Sequence, residues 1–266
     1  MTSRELTIRR DHLIHHRRMI IGRSIAASIA GALPVPVLDT RLSFLIQRST
    51  LRQIARSSQV DFDEAAAESL IYGRVEPPKL VELAGQTLAF RVLARTWRKA
   101  LMAYMAVRRA RVASRNFLLA TLFDHYCAKL HVGLGLDAAL GAELRAAMDE
   151  AMACTPGGLS QRMFRRALSA TARATVRAPL ELLDMASRGV VRKLLSSRSS
   201  DEIEAAAEIE TQLDHQLRSK KSFLARAATA VELQLSVDEN PYLDLLIENF
   251  ERIWRERREN PHESGE

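Results

Sequence analysis

Asp124, Cys127 and His131 are the residues whose types and spacing come nearest to a reactive site in this sequence. They stand at positions i, i+3 and i+7, which places them on one face of a predicted helix. A carboxylate, a thiol and an imidazole so arranged could bind zinc, or pair the cysteine with the histidine as a nucleophile. The alternative is a buried cysteine beside a surface histidine, because no further Cys or His stands at the spacing of a known zinc motif.

A second cluster of potential ligands, Asp11, His12, His15 and His16, lies near the start of the chain. It predicts either the solvated end of a helix or a proton-sensitive or metal-binding face.

The segment Gly133-Leu-Gly135-Leu-Asp137 lacks the third glycine of a dinucleotide-binding loop and the ending of a phosphate-binding loop, so it predicts a turn whose aspartate caps the next helix. Since no motif of a known enzyme class is found, we expect no catalytic activity and no cofactor.

Residues 90–115 predict a basic amphipathic helix, in which aromatic and aliphatic residues share one face. Such a helix can lie in a membrane interface, with its aromatic rings at headgroup level and its arginines on anionic phosphates. One alternative is that the apolar face packs into the protein core. Binding to nucleic acid is a second, less favoured alternative, because the arginines are not interleaved with stacking aromatics. The candidate membrane or anion-binding residues are Arg91, Arg95, Trp97, Arg98, Lys99, Tyr104, Arg108, Arg109 and Arg111.

A further amphipathic helix is predicted after Asn240, which would cap it, with Pro241 at its first position. Leu246, Phe250 and Trp254 fall on its apolar face. They form the candidate surface for a protein partner, such as a small GTPase, or for a second copy of the chain.

The composition favours helices as the elements that position these residues. Ala, Leu, Arg and Glu dominate, whereas aromatic residues make up 5% and the 266 residues include only 11 Gly and 8 Pro. We therefore predict an all-α, multi-helix bundle. Two cysteines without spaced partners predict a reducing, cytoplasmic setting. The longest uncharged run, residues 24–38, is shorter than the stretch of about twenty apolar residues that spans a bilayer, so no transmembrane helix is expected.

Charge alternates along the chain, whose net charge is +7. Residues 91–120 carry eight basic and no acidic residues, whereas residues 201–266 carry eight basic and sixteen acidic ones. This pattern indicates either that basic helices pair with acidic ones across the surface or that the basic helices share a free face.

Four sequence matches at offsets between 140 and 145 hint at an internal duplication. They begin with Arg18-Met19 and Arg162-Met163, and they include the helix-start signals from Asp61 to Glu64 and from Asp201 to Glu204. Chance recurrence of such signals is the alternative. We predict an N-terminal helical unit over 1–156, a related C-terminal unit over 157–259 and a disordered tail over 260–266.

The stretch from Arg18 to Leu70 resembles the helical domain of YcjF-like proteins. The resemblance rests on a small-residue helix, the turn Pro34-Val-Pro36 with Asp39 as the expected cap of the next helix, and a second helix that ends in Ile-Ala-Arg56. Proteins of that family are often membrane-associated or joined to GTPase domains. Here Ser57-Ser-Gln replaces the usual Tyr-Gly turn, and the chain has no GTPase motif.

Together these features predict a protein without enzymatic activity that associates peripherally with an anionic membrane surface through its Arg-rich helices and the hairpin around Pro34 and Pro36. The alternative is a cytoplasmic adaptor that binds a protein partner through its C-terminal helix.

Overall fold

The computed structural model describes residues 3–30, 36–73, 98–133, 135–156, 164, 199–219, 222–237 and 241–259. Helices make up nearly all of this part of the chain, which confirms the all-α prediction. The elements in chain order are α1 (Ser3–Ala30), α2 (Pro36–Ser57), β1 (Asp61–Phe62), α3 (Glu64–Tyr72), α4 (Arg98–His125), a π-helical turn (Tyr126–Leu130), β2 (Gly135–Leu136), α5 (Ala138–Cys154), α6 (Ser199–Arg218), α7 (Phe223–Val237) and α8 (Pro241–Glu259).

Helix α1 lies at the centre of the bundle, where it packs against α2, α4 and α7. The predicted apolar stripe of Ile21, Ile25 and Ile29 is buried, as are the small residues Ser24 and Ser28 beside it. Small side chains on a helix allow neighbouring backbones to approach closely, and this explains how one helix packs against three others.

Helices α1 and α4 run antiparallel. His16 contacts Asp124, while Arg23 and Ser24 share a cleft with Asn116 and Ala120. Residue numbers therefore rise along one helix as they fall along the other. This direction carries the end of α1 toward the part of α4 around residue 110.

Two short strands that the sequence does not signal join distant parts of the chain. Asp61–Phe62 pairs in parallel with Gly135–Leu136, and each strand is followed by an aspartate that caps a helix. Asp63 Oδ1 accepts a hydrogen bond from Ala66 N at 2.6 Å, and Asp137 Oδ1 accepts one from Leu140 N at 2.8 Å. Such caps satisfy backbone N–H groups that the first turn of a helix leaves open. The predicted cap at Asp137 is thus confirmed.

Gly141→Ala is expected to destabilise the contact between α5 and α3. A Cβ at residue 141 would lie 2.9 Å from the carbonyl oxygen of Ala66 and 3.3 Å from its Cα. Helix propensity alone would favour alanine by about 1 kcal/mol. We expect the steric overlap to outweigh this gain and to lower the free energy of unfolding by a net amount of about 1–2 kcal/mol. Urea unfolding followed by circular dichroism checks the change.

Gly135→Ala is the matched control, because its added Cβ would meet Asp61 only at an ordinary 3.8 Å. A Gly141→Ala variant as stable as the wild type would contradict the close approach of the two helices.

Three predicted helix starts are wrong by a few residues. Asp61 lies in β1, and Asp63 is the cap of α3. Asp201 lies inside α6, which begins at Ser199, and Asp39 lies inside α2, which begins at Pro36. Proline suits the first helical position because its missing N–H would have no partner there. The predicted start of α8 at Pro241 is confirmed.

The helices on either side of the predicted boundary at residue 156 contribute to one core. Helices α6 and α7 pack against α1, and α8 packs against α5. A continuous set of buried residues runs from Leu13 to Trp254. The described residues thus do not separate into two cores at 156. The first half of the predicted second repeat, from Arg162 to Asp184, and the predicted tail lie outside the described residues except for Phe164.

In the described part of the chain, no helix combines the length and the apolar character required to span a bilayer.

Candidate functional site

Helix α4 has one buried and one exposed face in the segment that begins at Val107. Ala110, Ala113, Ser114, Phe117 and Leu118 are buried. The opposite face is exposed at Val107, Arg108, Arg111, Val112 and Arg115. These positions recur at intervals of three and four residues, the period of a helix surface.

Arg108 and Arg111 form no ion pair with any residue of the described ranges, and they are flanked by Val107 and Val112, which are 40% and 38% exposed. We call Val107, Arg108, Arg111 and Val112 the α4 patch. Two exposed guanidinium groups beside two aliphatic side chains can contact phosphates and apolar surface together. Within the predicted basic helix, the structure describes the accessibility of residues 107–115, and the patch is the exposed part of this segment that forms no ion pair with the described residues.

Two arginines next to the α4 patch do not belong to it. Arg115 Nη2 lies 3.1 Å from Asp149 Oδ1 on α5. Arg109 is half-buried, and burial lowers the pKa of its guanidinium. The prediction that Arg109 contacts a surface does not suit this partly covered position, which lies between the exposed and buried faces of α4.

The remaining predicted residues of the basic helix are only partly described. Arg91, Arg95 and Trp97 lie outside the described residues. Arg98, Lys99 and Tyr104 belong to α4 by their backbone, and their side chains lie outside the described part.

Several other arginines pair with acidic residues on neighbouring helices. Arg23 on α1 contacts Asp214 on α6, Arg48 on α2 contacts Glu64 on α3, and Arg257 on α8 contacts Glu150 on α5. Pairing between basic and acidic helices therefore accounts for part of the alternating charge. Arg108 and Arg111 differ from these residues in being exposed and unpaired within the described ranges.

The apolar face of α8 is covered by the protein itself. Leu246 and Phe250 are fully buried and Trp254 is 5% exposed. The indole of Trp254 meets the Tyr126 ring edge-on at a centroid distance of 5.3 Å. The prediction that these three residues offer a free docking surface is wrong, because the helix uses this face to pack against α5 and α4.

Asp124, Cys127 and His131 do not form the predicted common face, because α4 ends at His125 and the chain then winds as a π-helical turn. Asp124 Oδ1 bonds to His16 Nδ1 at 2.9 Å, and His131 Nδ1 bonds to the Tyr126 hydroxyl at 3.1 Å. Burial raises the pKa of the Cys127 thiol, which keeps it protonated. No group of three His, Cys, Asp or Glu side chains suited to a metal ion occurs within the described ranges.

The histidine cluster near the chain start is divided by its environment. His15 is exposed, whereas His16 faces α4 and bonds to Asp124. The backbone of Asp11 and His12 lies in α1. Of the two histidines whose side chains are described, His16 contributes an interhelical contact.

Arg23 is a buried charged residue that sequence reasoning missed. Its Nη1 donates to Ser49 Oγ at 3.1 Å, and its Nη2 donates to Asp214 Oδ1 at 2.8 Å. The sequence does carry a signal for this buried arginine, because Arg23 is the single charged residue between Met19 and Leu38. A lone arginine in an apolar helix segment needs partners from neighbouring helices when that helix is central.

Comparison with known proteins found no matching family model, no matching curated protein and no matching solved structure.

Proposed function

We propose that this protein binds the surface of an anionic membrane through the α4 patch. The observation that carries the proposal is the pair of exposed arginines, Arg108 and Arg111, without ion-pair partners among the described residues, between exposed Val107 and Val112. Guanidinium groups bind phosphate oxygens in a bidentate manner, and the valines supply a shallow apolar contact.

The direction of the helices supports this proposal. Because α1 and α4 are antiparallel, the end of α1 at Ala30 and the α4 patch lie toward the same end of the bundle. Contact with a membrane at the patch would thus lie toward the end of the bundle at which α1 ends.

An anionic membrane suits the patch better than a nucleic acid or a protein docking on α8. The exposed apolar residues are valines, which offer no ring on which a base can stack. The apolar face of α8 is buried, so an adaptor would have to use another surface. The proposal includes a peripheral location on the cytoplasmic face of a membrane and no catalytic role.

Replacing Arg108 and Arg111 together by glutamine is expected to weaken binding to anionic vesicles about thirtyfold. Each basic residue near such a surface contributes about 1 kcal/mol, and a loss of about 2 kcal/mol corresponds to that factor. Because both side chains are exposed, helicity and unfolding midpoint should stay unchanged. Vesicle co-sedimentation at low salt measures the partition coefficient.

The matched control replaces Arg226 on α7 and Arg255 on α8 by glutamine. Both are exposed, and the change in net charge is identical. If the control variant weakens binding as much as the patch variant, binding follows overall charge and the role assigned to the patch is wrong.

A further inference from the structure

Three arginines recur at intervals of four residues along the second half of α2. They are Arg48, Arg52 and Arg56, and we call them the α2 arginine row. Residues four apart on a helix are neighbours on its surface, with about 5–6 Å between their Cβ atoms. A group bound beside Arg52 is therefore within reach of the long side chains on both sides of it. Like charges at this spacing destabilise a helix, and a bound anion would remove that cost.

The α2 arginine row passes from the protein interior to the surface. Arg48 is 5% exposed, Arg52 is partly buried and Arg56 is exposed. Helix α2 packs against α3 and α6, and this packing holds the buried end of the row in place. The row thus offers a fixed guanidinium group at one end and accessible ones beside it.

The ion pairs of the row leave most of its charge unbalanced. Arg48 Nη1 pairs with Glu64 on α3, whereas its buried Nε has no hydrogen-bond partner among the described residues. Arg52 and Arg56 form no ion pair with any residue in the described ranges. Three guanidinium groups with one contacting carboxylate leave an excess of two positive charges.

The charges that act on Arg52 support the same conclusion. Burial lowers the pKa of its guanidinium, and the positive charges of the other two arginines lower this pKa further. Glu64 and Glu210 act in the opposite direction without cancelling these effects. Glu210 also lies 3.9 Å from Arg23 Nη2, so its charge is shared with a second arginine. The surroundings of Arg52 therefore favour an anion.

We propose that the α2 arginine row binds a dianionic phosphate group. A phosphate monoester carries about two negative charges near neutral pH, which matches the excess charge of the row. Guanidinium groups bind phosphate oxygens in a bidentate manner, and one phosphate has enough oxygens to bond to neighbouring arginines together. The row shares no residue with the α4 patch, and the proposal does not depend on membrane binding.

Inorganic phosphate is the first probe, and it replaces chloride at constant ionic strength in a titration of the wild-type protein. The amide resonances of α2 and α3 are expected to shift in a saturable manner. The row variant, Arg52→Gln with Arg56→Gln, should raise the Kd for phosphate at least tenfold, because it removes two of the three guanidinium groups. Circular dichroism checks that this variant is folded.

The matched control is the variant with Arg226→Gln and Arg255→Gln, which changes the net charge equally at two exposed positions on α7 and α8. Its Kd for phosphate should equal that of the wild type, as should that of the variant with Arg108→Gln and Arg111→Gln. If the control raises the Kd as much as the row variant, phosphate responds to overall charge and the proposal is overturned.

Glu64→Gln tests the row in the opposite direction. It removes the carboxylate that competes with phosphate for Arg48, so the Kd should fall at least threefold. Glu68→Gln on the same helix is the matched control, because Glu68 is exposed and forms no ion pair with the row. A Kd that does not change in the folded Glu64→Gln protein would overturn the proposal.

Vesicles of phosphatidylcholine with phosphatidic acid, a lipid with a monoester phosphate, distinguish a lipid headgroup from a soluble molecule as the source of the group. Saturable binding of inorganic phosphate, with vesicle binding equal in the row variant and the control variant, assigns the group to a soluble molecule. Weaker vesicle binding by the row variant than by the control variant assigns it to a lipid headgroup. Absence of phosphate binding, together with equal vesicle binding by both variants, would overturn the proposal.

Discussion

Asp214→Ala is expected to lower the free energy of unfolding by about 3 kcal/mol. Arg23 is fully buried, so its guanidinium cannot turn to water when its partner at 2.8 Å is removed. Stranding one member of a buried ion pair costs about 3–5 kcal/mol. We place this case at the lower end because the Asp214 side chain is 34% exposed and because Glu210 lies 3.9 Å away and compensates in part. Urea unfolding followed by circular dichroism measures the loss.

The double variant Arg23→Met, Asp214→Ala distinguishes a stranded charge from simple loss of packing. Methionine fills much of the space of the arginine and leaves no buried charge, so the double variant should regain most of the stability that Asp214→Ala loses. Glu232→Ala on α7 is the control, because this partly buried acid forms no ion pair with the described residues. A double variant less stable than Asp214→Ala would contradict the assigned role of the pair.

Arg145→Met is expected to lower the free energy of unfolding by about 3 kcal/mol as well. Arg145 Nη1 on α5 donates to the carbonyl oxygens of Leu70 and Ile71, each at 2.6 Å. These carbonyls belong to the last turn of α3, where the helix itself provides no donors. The arginine thus caps one helix from another, and its removal takes the donor away from one buried and one part-buried carbonyl oxygen. Hydrogen exchange of the α3 amides should accelerate by the factor that corresponds to the decrease in the free energy of unfolding.

Asp149→Ala separates this cap from the ion pair that Arg145 also makes. Asp149 Oδ2 lies 2.8 Å from Arg145 Nε, but the carboxylate is 41% exposed. The Arg145 side chain is buried, but it keeps both carbonyl acceptors when Asp149 is removed, so this variant should lose less stability than Arg145→Met. Equal losses in the two variants would show that the ion pair dominates and that the carbonyl cap does not.

The sequence allows the helical class and several helix ends to be predicted, because these depend on local chemistry. The cap at Asp137 and the start of α8 at Pro241 follow from residue types that satisfy or avoid open backbone N–H groups. The parallel strands could not be predicted in the same way. Each strand has only two residues, which is too short to show a period, and the pairing joins Asp61 to Gly135.

The sequence also locates apolar and basic faces without indicating what covers them. Phe250 and Trp254 were predicted to share one face of a helix, and that face is buried against the protein's own core. Arg108 and Arg115 belong to the same basic segment, yet Arg115 pairs with Asp149 and Arg108 has no ion pair in the described part of the chain. Partner choice of this kind depends on how distant helices pack, and no local pattern encodes it.

The contacts of Arg23 follow the same principle. Arg23, Ser49 and Asp214 lie on three different helices and meet only after those helices pack. The isolated charge in an apolar segment predicts that Arg23 needs partners. Their identity, and the cleft beside them, follow from the tertiary structure alone.

Co-sedimentation of the wild-type protein with vesicles across a salt series tests the proposed membrane function most directly. Vesicles of phosphatidylcholine alone are compared with vesicles that also contain phosphatidylglycerol, because salt screens contacts between exposed charges far more than it affects apolar insertion. We predict binding to the anionic vesicles that falls steeply as salt rises, with little binding to the zwitterionic ones. Absence of binding to either vesicle, or equal and salt-resistant binding to both, would contradict an electrostatic membrane contact through Arg108 and Arg111.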